Sequence, residues 1–323
     1  MPKVNEVHID VALSNMSLGY HPTGMIAEDI FPVISVAKES DKYYAWNKGE
    51  AFRVPDNTKR ADGTRSKRVG FTVDGSNSYL AEEYALSAEV TDRQAANADS
   101  VLNLRMSKSR RVKDLIMLDQ EIRVATLLTT QANWASTNRV QLSGTQQWNN
   151  ASYDTDNITY AIEAIIDAGR EAIRQQTGGH EPNKIIIPSA IAKIMKRDVT
   201  IRDLIKYTHQ NLLVDGDLPP ILWNMKVLIP KAAKNTNKEG NATQTLSDVW
   251  GKHVVLIYAP DAPAIDELSC GYIFRAKNAA HTPWGVRTWR EEAEKKDVFE
   301  VEVCQDEKLV SNVAGYFIED AIA

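Results

Sequence analysis

Three short, almost uninterrupted apolar runs punctuate the second half of the chain: Lys184-Ile185-Ile186-Ile187-Pro188, Met225-Lys226-Val227-Leu228-Ile229-Pro230 and His253-Val254-Val255-Leu256-Ile257-Tyr258. A strand with one wet face alternates apolar and polar residues. A continuous apolar run suits a strand in a sheet that is covered on both faces. After the first run, Ser189 is placed to cap a helix, and Asp198–Lys206 reads as another. The second and third runs are joined by a polar loop, Lys231–Thr245, whose Asn235, Asn237, Gly240 and Asn241 predict exposure. Residues 183–275 therefore read as a mixed α/β block.

Upstream lies the clearest helix, over 107–130. Val112, Leu115, Leu118, Ile122, Ala125 and Leu128 recur at three- and four-residue steps and so share a face, with Asp119, Glu121 and Arg123 off that stripe. A second helix is predicted from Asn157, capped by Asp156, striped by Ile158, Ile162, Ile165 and Ile166, and ended by Thr177-Gly178-Gly179. Ala132–Thr155, with Trp134, Trp148 and Gly144, reads as loop with room for a short hairpin.

The flanks read as β. Asp41-Lys42-Tyr43-Tyr44-Ala45-Trp46 is an aromatic strand. Val69, Phe71 and Val73 alternate with polar neighbours, and Tyr84, Leu86, Ala88 and Val90 give a third strand. Near the C-terminus Phe299, Val301 and Val303 alternate with Glu300 and Glu302. Residues 1–35 carry apolar anchors (Leu18, Met25, Ile26, Ile30, Phe31) without a period, broken by Gly19, Pro22, Gly24 and Pro32. Such an arm cannot build its own core and is expected along the surface of its own domain or of a neighbour. The chain has 323 residues. At roughly 150 residues per domain that suggests two domains, and the element order makes the class α+β, the first domain interrupted by the second.

An excursion, Lys48–Arg68, separates the first two strands. It carries seven bases (Lys48, Arg53, Lys59, Arg60, Arg65, Lys67, Arg68) against three acids (Glu50, Asp56, Asp62), net +4 in a chain of net charge -5. A long loop with so little apolar content, Phe52 apart, is either a solvated hairpin tip or an arm that orders against an acidic neighbour. Acidic side chains of the same sequence stand ready: Glu291, Glu292, Glu294, Glu300 and Glu302. A second basic cluster, Arg105, Lys108, Arg110, Arg111 and Lys113, opens the long helix, where positive charge opposes the helix dipole. It is either a solvated face or a contact for DNA phosphate or an acidic neighbour. No aromatic interleaving supports base stacking, so sequence readout is not expected.

Composition and spacing exclude several classes. Apolar and charged fractions of 43% and 25% suit a packed globular chain. No window approaches the ~18 apolar residues of a membrane span, and the start, Met1-Pro2-Lys3-Val4-Asn5-Glu6, does not read as a signal peptide. Cys270 and Cys304 match no metal spacing and are expected to be unpaired thiols in a reducing cytoplasm. A negative chain is not built to grip DNA, though a container for DNA needs no sticky lining. A phosphate-cradling Gly-x-x-x-x-Gly-Lys fails at Gly251-Lys252, because Leu246 holds the earlier glycine's place. The six histidines (His8, His21, His180, His209, His253, His281) stand alone, and the acid pairs Glu82-Glu83 and Glu291-Glu292 read as solvated charge. No catalytic residue, cofactor or metal is expected.

The residues do resemble a family. Asp29-Ile30-Phe31-Pro32-Val33, then Tyr43-Tyr44-Ala45-Trp46-Asn47-Lys48-Gly49 and Phe52-Arg53, look like the N-terminal part of major capsid proteins of tailed double-stranded-DNA bacteriophages. So do Tyr79-Leu80-Ala81-Glu82-Glu83-Tyr84-Ala85, the Asn97-Ala98-Asp99 turn and Asp248-Val249-Trp250-Gly251-Lys252-His253-Val254-Val255-Leu256. The resemblance implies the Hong-Kong-97-type fold, laid out as an N-terminal arm (1–35), an extended β loop region (36–91) that reaches over an adjacent subunit, a peripheral domain with spine helix (92–182), an axial domain (183–275) and return strands of the peripheral domain (276–323). It further implies self-assembly into hexamers and pentamers of an icosahedral head in the host cytoplasm. Implied partners are a separate scaffold, a portal, a possible decoration protein and packaged DNA bound without sequence readout. Some relatives begin with a scaffolding segment of about a hundred residues that this chain lacks. An encapsulin-like compartment of the same fold and a soluble enzyme without recognisable motifs remain the alternatives.

Overall fold

A computed structural model describes residues 8–9, 24–43, 53–54, 58–66, 68, 77–97, 104–150, 153, 159–206, 218–238, 240–241, 243–263, 267–277 and 284–323. In chain order the described strands and helices begin with β1 (His8–Ile9), α1 (Ala27–Ile30), β2 (Val33–Val36), β3 (Ser40–Lys42), β4 (Ser78–Leu80), β5 (Glu82–Thr91), α2 (Asp92–Asn97) and α3 (Leu104–Thr129). There follow β6 (Arg139–Gln141), α4 (Ile162–Thr177), β7 (Lys184–Ile186), α5 (Ser189–Met195), α6 (Val199–Lys206), β8 (Ile221–Leu222), β9 (Met225–Leu228), β10 (Ala233–Asn235) and β11 (Leu246–Asp248). The chain closes through β12 (Val254–Ile257), β13 (Gly271–Ala276), β14 (Gly285–Glu291), β15 (Lys296–Leu309) and β16 (Gly315–Glu319).

Two sheets organise this α+β molecule. The first runs β1-β14-β15-β13-β2, with β5 on the other edge of β15. The second runs β6-β16-β12-β7-β9-β8. The apolar runs read from the sequence are its centre, and their residues alternate between two cores. Val254 and Leu256 of β12 pack with Ile162, Ile165, Ile166 and Ile173 of α4, while Val255 and Ile257 pack on the other side with Leu128, Trp134 and Phe317. Both faces are dry, which is why the strands carry no polar alternate.

Helix α3 is about 39 Å long at 1.5 Å per residue, and it ties the sheets together. Val112, Ile116 and Met117 in its first half pack on Phe299, Val301 and Val303 of the first sheet; Val124, Ala125 and Leu128 in its second half pack in the core shared with the second. The buried face differs from the expected stripe. It runs through Ser109, Val112, Lys113, Ile116, Met117, Gln120, Glu121, Val124, Ala125 and Leu128, and leaves Leu115 47% exposed. Val112, Ala125 and Leu128 of the expected stripe are inside and Leu118 and Ile122 are half-buried; the buried face extends to Ile116, Met117 and Val124, and Lys113 and Glu121 find partners there.

Other expectations shift as well. The helix expected from Asn157 begins at Ile162; the proposed cap Asp156 and Ile158 lie outside the described residues. Its end is as expected: Gly178 takes φ 72°, a left-handed value glycine adopts without strain, and the Gly179 N–H bonds the Arg174 carbonyl at 2.9 Å. Ser189 does not cap α5 but is its first helical residue after Pro188. Asp198 caps α6 instead, its Oδ1 accepting from the Thr200 and Ile201 N–H groups at 3.0 and 3.2 Å. The polar loop forms the exposed hairpin β10–β11. Ala132–Thr155 holds β6, parallel to β16, with Trp134 and Trp148 buried. The strand begun at Asp41 is described only to Lys42, and Val69–Asp74 lies outside the described residues.

The arm is no surface feature between Gly24 and Val36. Ile30 and Phe31 are fully buried and β2 runs parallel to β13. Sheet membership also crosses the boundaries read from the sequence: β16 and β6 join the second sheet, and β13 joins the first.

Candidate interface residues

The cationic excursion is exposed wherever it is described. Arg53, Lys59, Arg60, Arg65 and Arg68 all face solvent, and Val54 beside them is 80% exposed. A turn at Ala61–Thr64 is closed by the Thr64 hydroxyl on the Ala61 carbonyl at 2.8 Å. Among the described residues, Arg53, Arg60, Arg65 and Arg68 form no ion pair. Lys48 and Phe52 lie outside the described residues.

The acids near the C-terminus are mostly spoken for within the chain. In the β14–β15 turn the Lys296 ammonium lies 2.7 Å from Glu89 and 3.2 Å from Glu291, and it also pairs with Glu294. Lys296 thereby holds the Glu291 carboxyl below its usual range. Glu292 pairs with Arg290 at 3.0 Å, and Arg290 reaches Asp92 at 2.8 Å and Asp297 at 3.1 Å. These exposed pairs stiffen the turn and are worth about 0–1 kcal/mol each.

The basic cluster at the start of α3 splits three ways. Arg105 pairs with Asp297, and Lys108 donates to Gln94 at 3.1 Å and to the Glu89 carbonyl. Arg110 and Arg111 are exposed. Lys113 cannot reach phosphate. It is 2% exposed, its ammonium sits 4.9 Å over the Trp284 ring, and burial pushes its pKa down to about 8.

The residue that sequence reading missed is Glu121. Fully buried on α3, it accepts the Ile26 and Ala27 N–H groups at 2.9 and 2.8 Å and the Trp250 indole N–H at 2.6 Å. One carboxylate thus holds the N-terminal segment, the spine of the molecule and the approach to β12. Glu28 adds a pair to Arg275, which also donates to Gln305. Beside this junction opens a cavity of about 770 Å³ lined by Gly24–Asp29, Met117, Gln120, Glu121, Ile229 and Lys231. The only sequence signal for Glu121 was a carboxylate one turn from Val124 and Met117, which also fits a solvated position.

Among the described residues no cluster of three His, Cys, Asp or Glu could hold a metal, and no helix is long and apolar enough to cross a membrane. Cys270 and Cys304 are free and buried, and burial raises both thiol pKa values.

No protein-family model matches the chain. It is 27% identical over 252 residues to the major capsid protein of Burkholderia phage BcepMu, covering 78% of this chain and 76% of that one. It is 27% identical over 257 residues to the major capsid protein of Pseudomonas phage JBD67, covering 77% of each. A crystal structure of a phage-related protein from Bordetella bronchiseptica RB50 superposes with TM-score 0.70 at 27% identity, over 97% of both chains. The capsid of cyanophage P-SCSP1u follows with TM-score 0.60 at 8% identity, over 93% of this chain and 89% of that one. The SrpI encapsulin of Synechococcus elongatus PCC 7942 gives 0.53 at 10% identity, over 96% and 95%. The chain has the Hong-Kong-97-type capsid fold.

Proposed function

We propose that this chain, a relative of the phage major capsid proteins, is the structural subunit of an icosahedral phage head and not an enzyme. The observation that carries the reading is the joint match: two curated capsid proteins at 27% identity over more than three quarters of the chain, and capsid-type folds over nearly all of it. An encapsulin matches in fold alone, at 10% identity, and the capsid relatives outweigh it.

In this reading the first sheet with α3 forms the peripheral body and the second sheet with α4 and α5 the axial body, which gathers around the centres of pentamers and hexamers. Residues 1–35 are the N-terminal arm, and 36–91 supply the loop that reaches a neighbour. Lys48, Phe52, Arg53, Lys59, Arg60, Arg65 and Arg68 make that contact. Arg110 and Arg111, the exposed cations of α3, touch packaged DNA or a neighbour without reading sequence. A separate scaffold, a portal and a decoration protein would complete the particle, assembled in the host cytoplasm. Closed shells arise because identical heterologous contacts repeat through rotations that close.

The test is assembly. The purified chain, with its scaffold where one is required, should sediment as closed particles of many copies and show shells by electron microscopy. Monomers alone under every assembly condition would overturn the reading. Within it, reversing Arg53, Arg60 and Arg65 to Glu together should leave the subunit folded and impair assembly.

A further inference from the structure

With Lys113 and Glu121 turned inward, a second stripe of α3 stays outside. Lys108, Arg111, Leu115, Leu118, Ile122 and Ala125 follow one another at steps of three, four, three, four and three residues. Alternating steps of three and four average about 3.5 residues, the spacing at which one helix packs lengthwise along another. Ala125 is buried within the chain, but Leu115 is 47% exposed, Leu118 and Ile122 are half-buried, and Arg111 faces solvent.

The stripe is divided by chemistry. Its N-terminal end is cationic: among the described residues neither Lys108 nor Arg111 forms an ion pair, and the Lys108 ammonium donates only to neutral groups, the Gln94 side chain at 3.1 Å and the Glu89 carbonyl. The positive end of the α3 dipole adds to that charge. Toward Ile122 the stripe is apolar, and the acids beside it are engaged. Asp119 pairs with Arg123, and Asp114 lies within the field of Lys113.

Three occupants fit this surface badly. DNA would satisfy the cations but leave the leucines in water, since phosphate contacts need charge alone. The same helix of a second copy would set Lys108 and Arg111 against each other in a parallel pair, and against Ala125 and Ile122 in an antiparallel one. Helices α4 and α5 of a second copy have no apolar face to offer, because Ile162, Ile165, Ile166 and Ile173 of the first and Ile191 and Met195 of the second are buried at home. A helix with an apolar seam and acids at one end matches both halves.

We propose that the outward stripe of α3 from Lys108 to Ile122 docks an amphipathic helix of a different polypeptide, apolar where it meets Leu115, Leu118 and Ile122 and acidic where it meets Lys108 and Arg111. The inference rests on the shell reading for the partner's presence during assembly, and it makes Arg111 a contact for polypeptide and not for DNA.

The first arm of the test needs no shell. The full-length subunit is titrated with two labelled synthetic helices of about three heptads, each with a seam of Leu and Ile. One carries Glu, the other Lys, at and beside the seam positions that meet Lys108 and Arg111. By fluorescence anisotropy the Glu helix should bind about tenfold more tightly or better, and Arg111→Glu should reverse that order. Leu115→Asp should weaken both about tenfold or more, because the leucine is no longer buried on binding. Amide exchange over residues 108–122 of the wild-type subunit should slow when the Glu helix is added, a readout that no misfolded variant can confuse. A Glu helix that binds no better than the Lys helix, that duplex DNA displaces, or that leaves exchange in α3 unchanged overturns the inference. In the second arm, Leu115→p-benzoylphenylalanine is photolysed in particles recovered before DNA packaging. The cross-linked peptide should be an acidic, amphipathic helical segment of a second polypeptide. A cross-link only to another copy of this chain or to DNA, or none, overturns the inference while the shell reading stands. A chain that makes no particles defeats the shell reading, and the first arm still decides the docking site.

Discussion

At the scale of single residues, two buried charges govern the junction around α3. Glu121 satisfies three donors, two backbone N–H groups and an indole. Glu121→Ala should destabilise the subunit by about 3 kcal/mol or more, since each orphaned buried donor costs about 1–3 kcal/mol. Glu121→Gln keeps an oxygen for the Ile26 and Ala27 N–H groups but turns an amide donor toward Trp250, so its cost should be smaller. Urea unfolding of the disassembled subunit, followed by tryptophan fluorescence, measures both. Lys113 carries a pH signature. Its pKa of about 8 lies below the ordinary 10.5, so between these values the unfolded chain binds a proton that the folded chain does not. Stability from this group should be flat below pH 8 and rise toward pH 10.5, by at most about 1.4 kcal/mol per pH unit. Lys113→Met should remove that rise; unfolding midpoints from pH 7 to 10.5 that rise equally in both proteins would contradict the assignment.

At the scale of elements, close approach of backbones limits what the sheets tolerate. A Cβ on Gly271 at the start of β13 would lie 2.6 Å from the Lys308 carbonyl and from the Phe31 ring. One on Gly315 would lie 2.5 Å from the Trp134 ring. Neither an inter-strand carbonyl nor a buried indole yields easily, so Gly271→Ala and Gly315→Ala should each cost about 1–3 kcal/mol, the usual range for overpacking. Both substitutions pin elements that sequence reading left as arm and loop, and thermal melts of the subunit measure them. The part of the α3 face that periodicity did not give, Lys113, Ile116, Met117, Glu121 and Val124, belongs to this scale too. Periodicity ranks faces by apolar content, but Lys113 is drawn in by Trp284, and Glu121 by two backbone N–H groups and an indole from residues far away in sequence.

At the scale of the whole molecule, the described residues of the charged loop all face solvent. If that loop is seated on a neighbour, trypsin should cut free subunits between Arg53 and Arg68 and leave assembled shells intact there. Raising salt should weaken assembly of the subunits, as exposed pairs are screened over about 10 Å at 0.1 M. Equal cleavage of shells and free subunits would identify the loop as a solvated tip.

What the sequence determined by itself was whatever depends on near neighbours along the chain: the apolar strands β7, β9 and β12, the glycine stop of α4, the extent of α3, the alternation in β15 and the exposure of the cationic loop. Each follows from local periodicity or a local turn residue. The capsid resemblance was legible for the same reason, because its strings are short and keep their order. Only the tertiary structure decided which face of α3 turns inward, that Ile30 and Phe31 belong to the core, and that β16 enters the second sheet between β6 and β12. Those outcomes depend on partners far away along the chain, such as Glu121 with Ile26, 95 residues away, or with Trp250, 129 residues away, and no local pattern encodes where such partners meet.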